Sequence, residues 1–452
     1  MKTFNKGGVH PPQCKLTAAT PITRVELPRE VVLTFVQQIG ASGTCVVNKG
    51  DTVTRGDMVV KASGLVSANV HTPISGTVTA IGTSKTAYGY PAQTLTVTAT
   101  EEEHIHDINT LDTPAFVRDD RALAELTPEA IRTIVADAGI VGLGGATFPT
   151  RVKLAPPPDA KPDILIVNGV ECEPYLTCDH ALMLAHPAEI VAGTVLAMRA
   201  AGVSRGVIAV EANKRDAIER LHNQVLATGA PVEVVTLKVK YPQGGEKQLI
   251  KAVTGREVPS GALPVKAGAV VQNVATIYAI YRAARFAEPL MDRVVTVTGP
   301  SVSNPGNYRV PVGYPLRNLV ELAGGIPEDT GKVILGGPMM GKAVASVDAP
   351  LVKGVSGIVM LPQSQSLRLQ PQPCVRCGGC VEACPMGLEP LIIATFSRLN
   401  RFDDAERHGI MDCIECGSCS FTCPAARPLL DYIRVGKLTV AARRRSRPAK
   451  EG

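Results

Sequence analysis

The chain has 452 residues, of which 45% are hydrophobic, and a formal net charge of +6, enough for roughly three or four ordinary domains. Its nine tyrosines and eight phenylalanines are not interleaved with basic residues and it has no tryptophan, which argues against a base-stacking nucleic-acid surface. No apolar run reaches the ~20 residues that cross a bilayer, and the first eight residues lack the apolar core of a signal peptide. We expect no transmembrane segment and a cytoplasmic protein, or one held at a membrane by its partners.

Residues 1–110 are rich in Val, Thr and Gly and predict short strands. Segments 50–57 and 70–78 resemble the two half-motifs of the barrel-sandwich fold of biotinyl and lipoyl carrier domains. A carrier needs a lysine at the hairpin tip, which falls near Leu65 here. We therefore expect a structural domain or a docking surface rather than a carrier. The acidic segment 101–107 is interpreted as a solvated linker, with metal binding as the alternative.

Residues 111–285 alternate helix and strand patterns, which predicts an α/β domain. Thr127 followed by Pro128 predicts the start of a helix, and segments 164–167 and 206–210 predict buried strands. Segment 139–154, Gly-Ile-Val-Gly-Leu-Gly-Gly-Ala-Thr-Phe-Pro-Thr-Arg-Val-Lys-Leu, has glycines that let backbone N–H groups approach a phosphate or flavin. Because Thr147 replaces the third glycine of the dinucleotide fingerprint, the loop alone leaves a tight turn and a ligand cradle both open.

Residues 286–362 begin with a predicted strand at 293–299 and contain a predicted helix at 316–323 that ends at two glycines. This order resembles the β-grasp ligand-binding module called SLBB. Segment 336–343, Gly-Gly-Pro-Met-Met-Gly-Lys-Ala, nearly matches a phosphate-binding loop. Ala343 lacks the hydroxyl that holds Mg²⁺ there, and Pro338 removes a backbone N–H, so NTPase activity is not predicted.

Residues 363–452 carry eight of the twelve cysteines, in two runs that are each spaced C-x2-C-x2-C-x3-C-P. This is the spacing of bacterial two-cluster ferredoxins, in which the fourth cysteine of each run binds the other run's [4Fe–4S] cluster. A zinc ribbon has only two C-x2-C pairs, and disulfides require an oxidising compartment. We therefore assign one cluster to Cys374, Cys377, Cys380 and Cys423, and the other to Cys413, Cys416, Cys419 and Cys384.

Two further features of this region carry structural predictions. Segment 391–407, between the cysteine runs, has apolar residues near helical spacing and predicts a single linker helix. The basic segment 443–447 is interpreted as a solvated tail, with contact to anionic lipid as the alternative.

The glycine-rich segment resembles the flavin- and NADH-binding loop of the flavoprotein subunit of respiratory complex I. Three segments resemble later motifs of that family in the same order: N-G-V-E-C-E-P at 168–174, Y-P-Q-G-G-E-K-Q-L at 241–249 and Q-N-V-A-T at 272–276. Leu143, Thr147, Gln272 and Ala275 stand where that family has arginine, glycine, asparagine and glutamate. These departures concern the NADH contacts more than the FMN site.

The whole chain resembles the RnfC family, one of the component families of the Rnf complex, a membrane-bound ferredoxin:NAD⁺ oxidoreductase that couples electron transfer to Na⁺ or H⁺ translocation. The resemblance rests on the opening K-G-G-V-H-P-P at 6–12, the lysine-free carrier-like domain, the flavin domain, the β-grasp module and the two-cluster region, in that order. It implies FMN, NAD(H) and two [4Fe–4S] clusters on this chain. It also implies a peripheral position on the cytoplasmic side of the inner membrane. The implied partners are the other Rnf subunits, especially a ferredoxin-like iron–sulfur subunit.

The resemblance also implies roles for individual residues. Lys153 neutralises flavin or phosphate charge, and Phe148 is placed to stack on a ring, a core phenylalanine being the alternative. Asn273 and Thr276 hold the FMN phosphate. The loop that lines the flavin is Gly142, Gly144, Gly145 and Ala146, and the residues around the isoalloxazine and the NADH face are Asn168, Glu171, Glu173, Tyr241 and Glu246.

These features predict a relay in which a flavin takes two electrons from NADH and passes them singly to the clusters. Hydride transfer needs no protein nucleophile or general base, so no catalytic residue is predicted. Two alternatives remain open. One is a flavin-free electron wire or assembly subunit. The other is a cytosolic flavin and iron–sulfur reductase acting on a cobalamin, whose usual form lacks the N-terminal carrier-like domain.

Overall fold

The computed structural model describes residues 1–446. Arg447, the last residue of the predicted basic tail, lies outside the described residues. The chain forms four regions that follow one another along the sequence.

The N-terminal region is a β-sandwich. Antiparallel sheets with strand orders β2-β8-β7-β4 and β3-β5-β6 enclose a core that includes Val31, Leu33 and Val97. The loop that carries Leu65 is anchored because Arg151 donates a hydrogen bond to the Leu65 carbonyl (3.1 Å). The strands are β1 (Ile22–Arg24), β2 (Glu30–Thr34), β3 (Thr44–Cys45), β4 (Thr52–Val53), β5 (Met58–Lys61), β6 (Val70–His71), β7 (Gly76–Lys85) and β8 (Pro91–Thr98).

The acidic segment is a helix, α1 (Glu101–Thr110), and its interpretation as a solvated linker was wrong. Thr100 and Glu103 form a capping box, in which each side chain accepts the other residue's backbone N–H. Asp107 is buried and its carboxylate accepts the N–H (2.6 Å) and hydroxyl (2.8 Å) of Ser75. A buried carboxylate therefore attaches the helix to the sandwich. The number of acidic residues in the segment does not indicate that one of them is buried.

The second region is the predicted α/β domain. Its parallel sheet has the order β11-β10-β9-β12, and helices cover both faces. Thr127 caps α3 and Pro128 occupies its first turn, as predicted. The helices are α2 (Asp120–Glu125), α3 (Pro128–Asp137), α4 (Thr150–Lys153), α5 (Cys178–Ala185), α6 (Pro187–Ala201), α7 (Arg215–Thr228), α8 (Glu246–Thr254) and α9 (Val274–Phe286); the strands are β9 (Ile164–Gly169), β10 (Arg205–Glu211), β11 (Val232–Leu237) and β12 (Ala269–Asn273).

The third region is a six-stranded mixed sheet with the order β1-β14-β13-β17-β15-β16. Its edge strand β1 comes from the N-terminal part of the chain and pairs in parallel with β14, with Ile22 opposite Asn307. The predicted strand at 293–299 and helix at 316–323 are both present. The elements are β13 (Asp292–Thr298), β14 (Gly306–Pro311), α10 (Leu316–Leu322), β15 (Thr330–Leu335), β16 (Lys342–Ala343), β17 (Gly357–Pro362) and α11 (Gln363–Ser366).

The fourth region contains the cysteines and is helical. The prediction of one linker helix at 391–407 was wrong, because the helix stops at Leu399 and restarts after Arg401. Asn400 adopts the left-handed conformation there (φ +56°), which ends a helix. The helices are α12 (Gly379–Glu382), α13 (Pro390–Arg398), α14 (Phe402–Arg407), α15 (Ser418–Phe421) and α16 (Leu429–Ser446).

The described part of the basic segment, 443–446, is the last turn of α16, and its residues are exposed, in agreement with the prediction of a solvated segment. Arg444 pairs with Glu406 (2.6 Å), and the Arg443 guanidinium lies 4.9 Å from the Phe402 ring centre. In residues 1–446 no single helix has the length and apolar character to cross a bilayer. The pair α5 and α6, bent by 97°, meets those criteria only when taken together.

Candidate functional site

The glycine-rich loop joins α3 to α4 and is closed by its own backbone. The Gly142 N–H donates to the Phe148 carbonyl (2.8 Å), and the Thr147 N–H donates to the Gly142 carbonyl (3.1 Å). Gly145 has φ +107° and open space where a side chain would stand, whereas Thr147 has φ +51°, a conformation that favours glycine. Gly144, Gly145 and Ala146 are exposed and Phe148 is half-buried. The loop thus exposes its backbone, with little side-chain cover, to solvent.

This loop packs on the N-terminus of α9. The Leu143 N–H donates to the Thr276 hydroxyl (2.9 Å), and a Cβ on Gly144 would lie 3.3 Å from the Asn273 Cβ. Asn273 caps α9 by accepting the Ala275 N–H (2.9 Å). A helix N-terminus favours an anionic group such as a phosphate, and Asn273 and Thr276 both lie at the N-terminus of α9.

The carboxyl ends of β9 and β12 bring further predicted residues together. Asn168, near the end of β9, lies side by side with Asn273, and its amide donates to the Gly244 carbonyl (2.9 Å). Lys153 pairs with Glu246 (2.6 Å). Ligands of parallel α/β sheets bind beyond the carboxyl ends of the strands. The side-chain nitrogen of the neighbouring buried Gln272 has no hydrogen-bond partner, so the site offers an unused donor at this edge.

The acidic loop 171–176 is held in a strained conformation. Glu171 (φ +49°) and Tyr175 (φ +70°) are both left-handed, a strain typical of functional sites. The Glu171 carboxylate accepts the backbone N–H of Asp179 (2.8 Å) at the start of α5. The Lys15 ammonium donates to the carbonyls of Glu171 (2.9 Å), Glu173 (2.8 Å) and Leu176 (2.7 Å). Lys15 was missed by sequence reasoning because no motif links it to a loop about 160 residues away.

Glu173 lies under the loop that resembles a phosphate-binding loop. Its carboxylate accepts the backbone N–H groups of Met339 (3.1 Å) and Met340 (2.8 Å), and lies 3.4 Å from the Tyr241 hydroxyl. Burial raises the pKa of Glu173 to about 7. The loop at 336–343 therefore binds a carboxylate of its own chain. This agrees with the presence of Ala343 where a phosphate-binding loop has a hydroxyl.

A second half-buried carboxylate, that of Asp179, was not predicted. Burial and then the nearby Glu171 raise its pKa to about 7. Its side chain accepts the Asn273 amide (2.7 Å). Burial also raises the pKa of the Cys172 and Cys178 thiols. Asp179 could have been suspected from its position just beyond the acidic motif, but only the fold brings it to Asn273.

The two cysteine runs fold alike. Arg376 and Glu415, the equivalent second spacer residues, are both left-handed (φ +54° and +56°), and each donates its N–H to the sulfur of Cys374 or Cys413 (3.4 Å). The repeat in sequence is thus a repeat in backbone geometry, and N–H···S bonds of this kind are among the factors that tune a cluster.

The fourth cysteine of each run lies with the other run. Cys384 lines one apolar cavity together with Cys413, Cys416 and Cys419. Burial, and then the neighbouring Cys413, Cys416 and Cys384, raise the pKa of the Cys419 thiol to about 12. Burial raises the pKa of the Cys380 thiol, and the nearby Cys423 raises it further. Four thiols around a cavity have the donor set that a [4Fe–4S] cluster requires.

The cavity of Cys384, Cys413, Cys416 and Cys419 adjoins the flavin-type site. The Tyr241 hydroxyl donates to the Cys416 carbonyl (2.8 Å), and the Gln248 amide approaches the Pro385 carbonyl (3.4 Å). Cys374 and Cys377 of the other set are exposed. One set of cysteines is therefore buried next to the α/β region, and the other opens to the surface.

Comparisons with known proteins agree with this arrangement. Residues 2–102 match the RnfC barrel sandwich hybrid domain, 135–282 the Nuo51 FMN-binding domain, 294–343 the SLBB domain and 366–424 the 4Fe-4S dicluster domain. An NAD⁺-reducing [NiFe]-hydrogenase structure in the air-oxidized state superposes with a TM-score of 0.50 at 20% identity, over 74% of this chain and 70% of that one. At that identity the superposition supports the fold alone.

An FMN-binding domain and a 4Fe-4S dicluster domain in one chain define an iron–sulfur flavoprotein. The chain is 45% identical to the C subunit of the Na⁺-translocating ferredoxin:NAD⁺ oxidoreductase complex of Acetobacterium woodii, over 97% of this chain and 98% of that protein. It is 42% identical to the C subunit of the proton-translocating complex of Clostridium ljungdahlii, over 96% and 93%. The chain belongs to the RnfC family, the C subunits of ion-translocating ferredoxin:NAD⁺ oxidoreductase complexes.

Proposed function

We propose that this chain is the NAD(H)- and FMN-binding iron–sulfur subunit of a membrane-bound complex that moves electrons between ferredoxin and NAD⁺ and couples this to Na⁺ or H⁺ translocation. The observation that carries the proposal is the hydrogen bond from the Tyr241 hydroxyl to the Cys416 carbonyl. It joins the loop that faces the flavin-type site to a loop that carries cluster ligands. These two loops would provide the protein contact between the FMN site and the nearer set of cysteines.

The residues of the chain would divide the work as follows. The open backbone of the glycine loop and the N-terminus of α9, with Asn273 and Thr276, would hold the FMN and its phosphate. Lys153 would offset negative charge, and Asn168 and Glu246 would orient the ring. The flavin supplies the exchange between two-electron and one-electron chemistry. Tyr241 is buried, and Glu173 is half-buried and accepts two backbone N–H groups, so together they would limit the access of water between the ring and the cysteines.

The outward cysteines suggest where the partner docks. Cys374 and Cys377 are exposed, and Val375 between them is 69% exposed. An exposed apolar side chain beside a cluster suits a protein contact. We assign this surface to a ferredoxin-like iron–sulfur subunit of the complex, and we place the chain peripherally on the cytoplasmic side of the membrane.

Quantification of FMN, iron and sulfide in the purified chain, followed by NADH titration, tests the proposal. We expect one FMN and about eight irons per chain, with NADH bleaching the flavin and then reducing the clusters. A chain without flavin would instead be an electron wire. Failure to copurify with membrane subunits, together with reduction of a cobalamin, would favour the soluble reductase.

A further inference from the structure

The N-terminal segment 1–20, which we call the strap, contacts three loops of the proposed relay. These are the acidic loop 171–176, the loop that contains Tyr241 and the turn that contains Cys384. Lys15 holds the acidic loop, as described above. Val9 and Tyr241 exchange backbone hydrogen bonds in both directions (2.8 and 2.9 Å), and the Gly8 N–H donates to the Ala383 carbonyl (2.9 Å). Ala383 directly precedes Cys384. The K-G-G-V-H-P-P motif therefore stands between a flavin-side loop and a cluster ligand.

The two glycines of the motif are required by close approach. Gly7 has φ +65°, and a Cβ there would overlap the carbonyl carbon and oxygen of Cys384. Gly8 has φ +91°, and a Cβ there would overlap Lys240 and the Tyr241 carbonyl. Only glycine combines this conformation with this contact. The strap backbone thus fits directly against both loops.

Lys6 brings a positive charge to the same turn. Its side chain lies across Gly387, so closely that a Cβ on that glycine would overlap the Lys6 ammonium. The next residue, Leu388, donates its N–H to the Cys384 sulfur (3.3 Å). Local charge is one of the factors that set the reduction potential of a cluster. Because Lys6 is exposed, solvent screens part of its effect.

The strap is anchored on both sides of this contact. Phe4 is buried, and the Lys240 ammonium lies 4.2 Å from the centre of its ring. The Thr3 hydroxyl donates to the Gln243 side chain (2.8 Å), and the Tyr175 N–H donates to the Gln13 carbonyl (2.9 Å). These contacts distinguish the strap from an ordinary frayed terminus.

We propose that strap residues 6–9 are positioning residues. They fix the cluster held by Cys384, Cys413, Cys416 and Cys419 against the Tyr241 loop, and Lys6 raises the reduction potential of that cluster. The inference rests on the proposed function. The step concerned is the transfer of one electron between flavin and cluster, in which no covalent bond forms or breaks.

Three variants of the full-length chain, loaded with FMN and clusters, and one matched control test the proposal. Gly7→Ala introduces the overlap with Cys384. Gly202→Ala is the matched control, because Gly202 has a similar φ (+69°) but no atom within 4 Å of an added Cβ. Lys6→Gln removes the charge without changing the backbone, and Lys6→Arg restores it. Stopped-flow absorbance follows flavin reduction by NADH, freeze-quench EPR follows cluster reduction, and EPR redox titration gives the two cluster potentials.

With Gly7→Ala we expect flavin reduction within about twofold of wild type and cluster reduction slowed at least about tenfold, whereas Gly202→Ala behaves as wild type. With Lys6→Gln the potential of one cluster falls and the other is unchanged, and Lys6→Arg returns the wild-type value. Wild-type cluster reduction in Gly7→Ala, or two unchanged potentials in Lys6→Gln, overturns the proposal. If Gly7→Ala loses iron or flavin, the cluster potentials of Lys6→Gln and Lys6→Arg decide whether the proposal holds. Clusters that stay oxidised in the wild type under NADH would contradict the proposed function itself.

Discussion

Individual cysteines determine how the two cluster sites are built. Cys384 belongs to the first run by sequence but lines a cavity with three cysteines of the second, and Cys423 lies near Cys380 of the first run. The C-x2-C-x2-C-x3-C-P spacing predicts this exchange because three close cysteines reach one cluster and direct the fourth elsewhere. The effect that we expect from replacing a single cysteine therefore depends on which run supplies the fourth ligand of its cluster.

Two double substitutions test the exchange. Cys384→Ala with Cys416→Ala removes two ligands of one cluster, so about four irons per chain should remain. Cys377→Ala with Cys384→Ala removes one ligand from each cluster, so both should be lost. Iron and sulfide analysis, with EPR of the dithionite-reduced protein, measures the outcome. Ligation within each run predicts the reverse pattern, with four irons retained in the second variant and none in the first.

At the scale of elements, the α/β region and the six-stranded sheet are joined by a largely buried group of ion pairs. Asp292, the first residue of β13, pairs with Arg282 of α9 (2.8 Å) and Arg309 of β14 (2.8 Å). Burial opposes ionisation of Asp292, but the two arginines hold its pKa well below its usual range. The carboxylate is therefore charged at neutral pH and connects three elements.

Asp292→Asn should be destabilising, because it removes the carboxylate that the largely buried Arg282 and Arg309 share and leaves Arg282 paired with Glu288. We expect a loss of about 3–5 kcal/mol, measured as a fall in the denaturation temperature with the cofactors bound. Asp348→Asn is the control, since Asp348 pairs with Arg317 at the surface, where both side chains are more than half exposed. An equal fall of the denaturation temperature in both variants would show that the Asp292 ion pairs contribute no more to stability than a surface ion pair.

The sequence predicts elements well where the signal is local. The strands at 164–167 and 206–210 and the start of α3 are present because apolar runs and caps act on their own neighbours. The linker helix failed at Asn400, where one left-handed residue interrupts an otherwise suitable pattern. The contacts of Lys15 and of Met339 and Met340 could not be predicted, because they join segments about 160 residues apart and only packing brings them together.

At the scale of the molecule, three regions meet at one buried lysine. Lys353 follows the six-stranded sheet's β16, and its ammonium donates to the carbonyls of Asn69 in the sandwich (2.6 Å) and Gly139 beside the glycine loop (2.8 Å). Its own N–H donates to the Gln37 side chain (3.1 Å). Burial lowers the pKa of Lys353 to about 7. The junction of the regions is therefore sensitive to pH.

The sign of this sensitivity follows from proton linkage. Between pH 7 and the ordinary lysine pKa the unfolded chain binds a proton that the folded chain does not, so the Lys353 contribution to stability rises with pH. Between pH 7 and 9 we expect a gain of at most about 3 kcal/mol. Thermal unfolding at both pH values should show this gain in wild type and in Lys161→Met, an exposed control, but not in Lys353→Met. A gain that persists in Lys353→Met would assign it to another group.

The contact between Gly8 and Ala383 also orders the biosynthesis of the molecule. The strap is synthesised long before Ala383 and Cys384, so it can dock on the Tyr241 loop and the acidic loop while its contact with the cysteine region still has to form. Docking of the strap is therefore completed only after the cysteine region has been made, and we expect the protease resistance of residues 1–20 to rise when residues 6–9 contact the Cys384 turn.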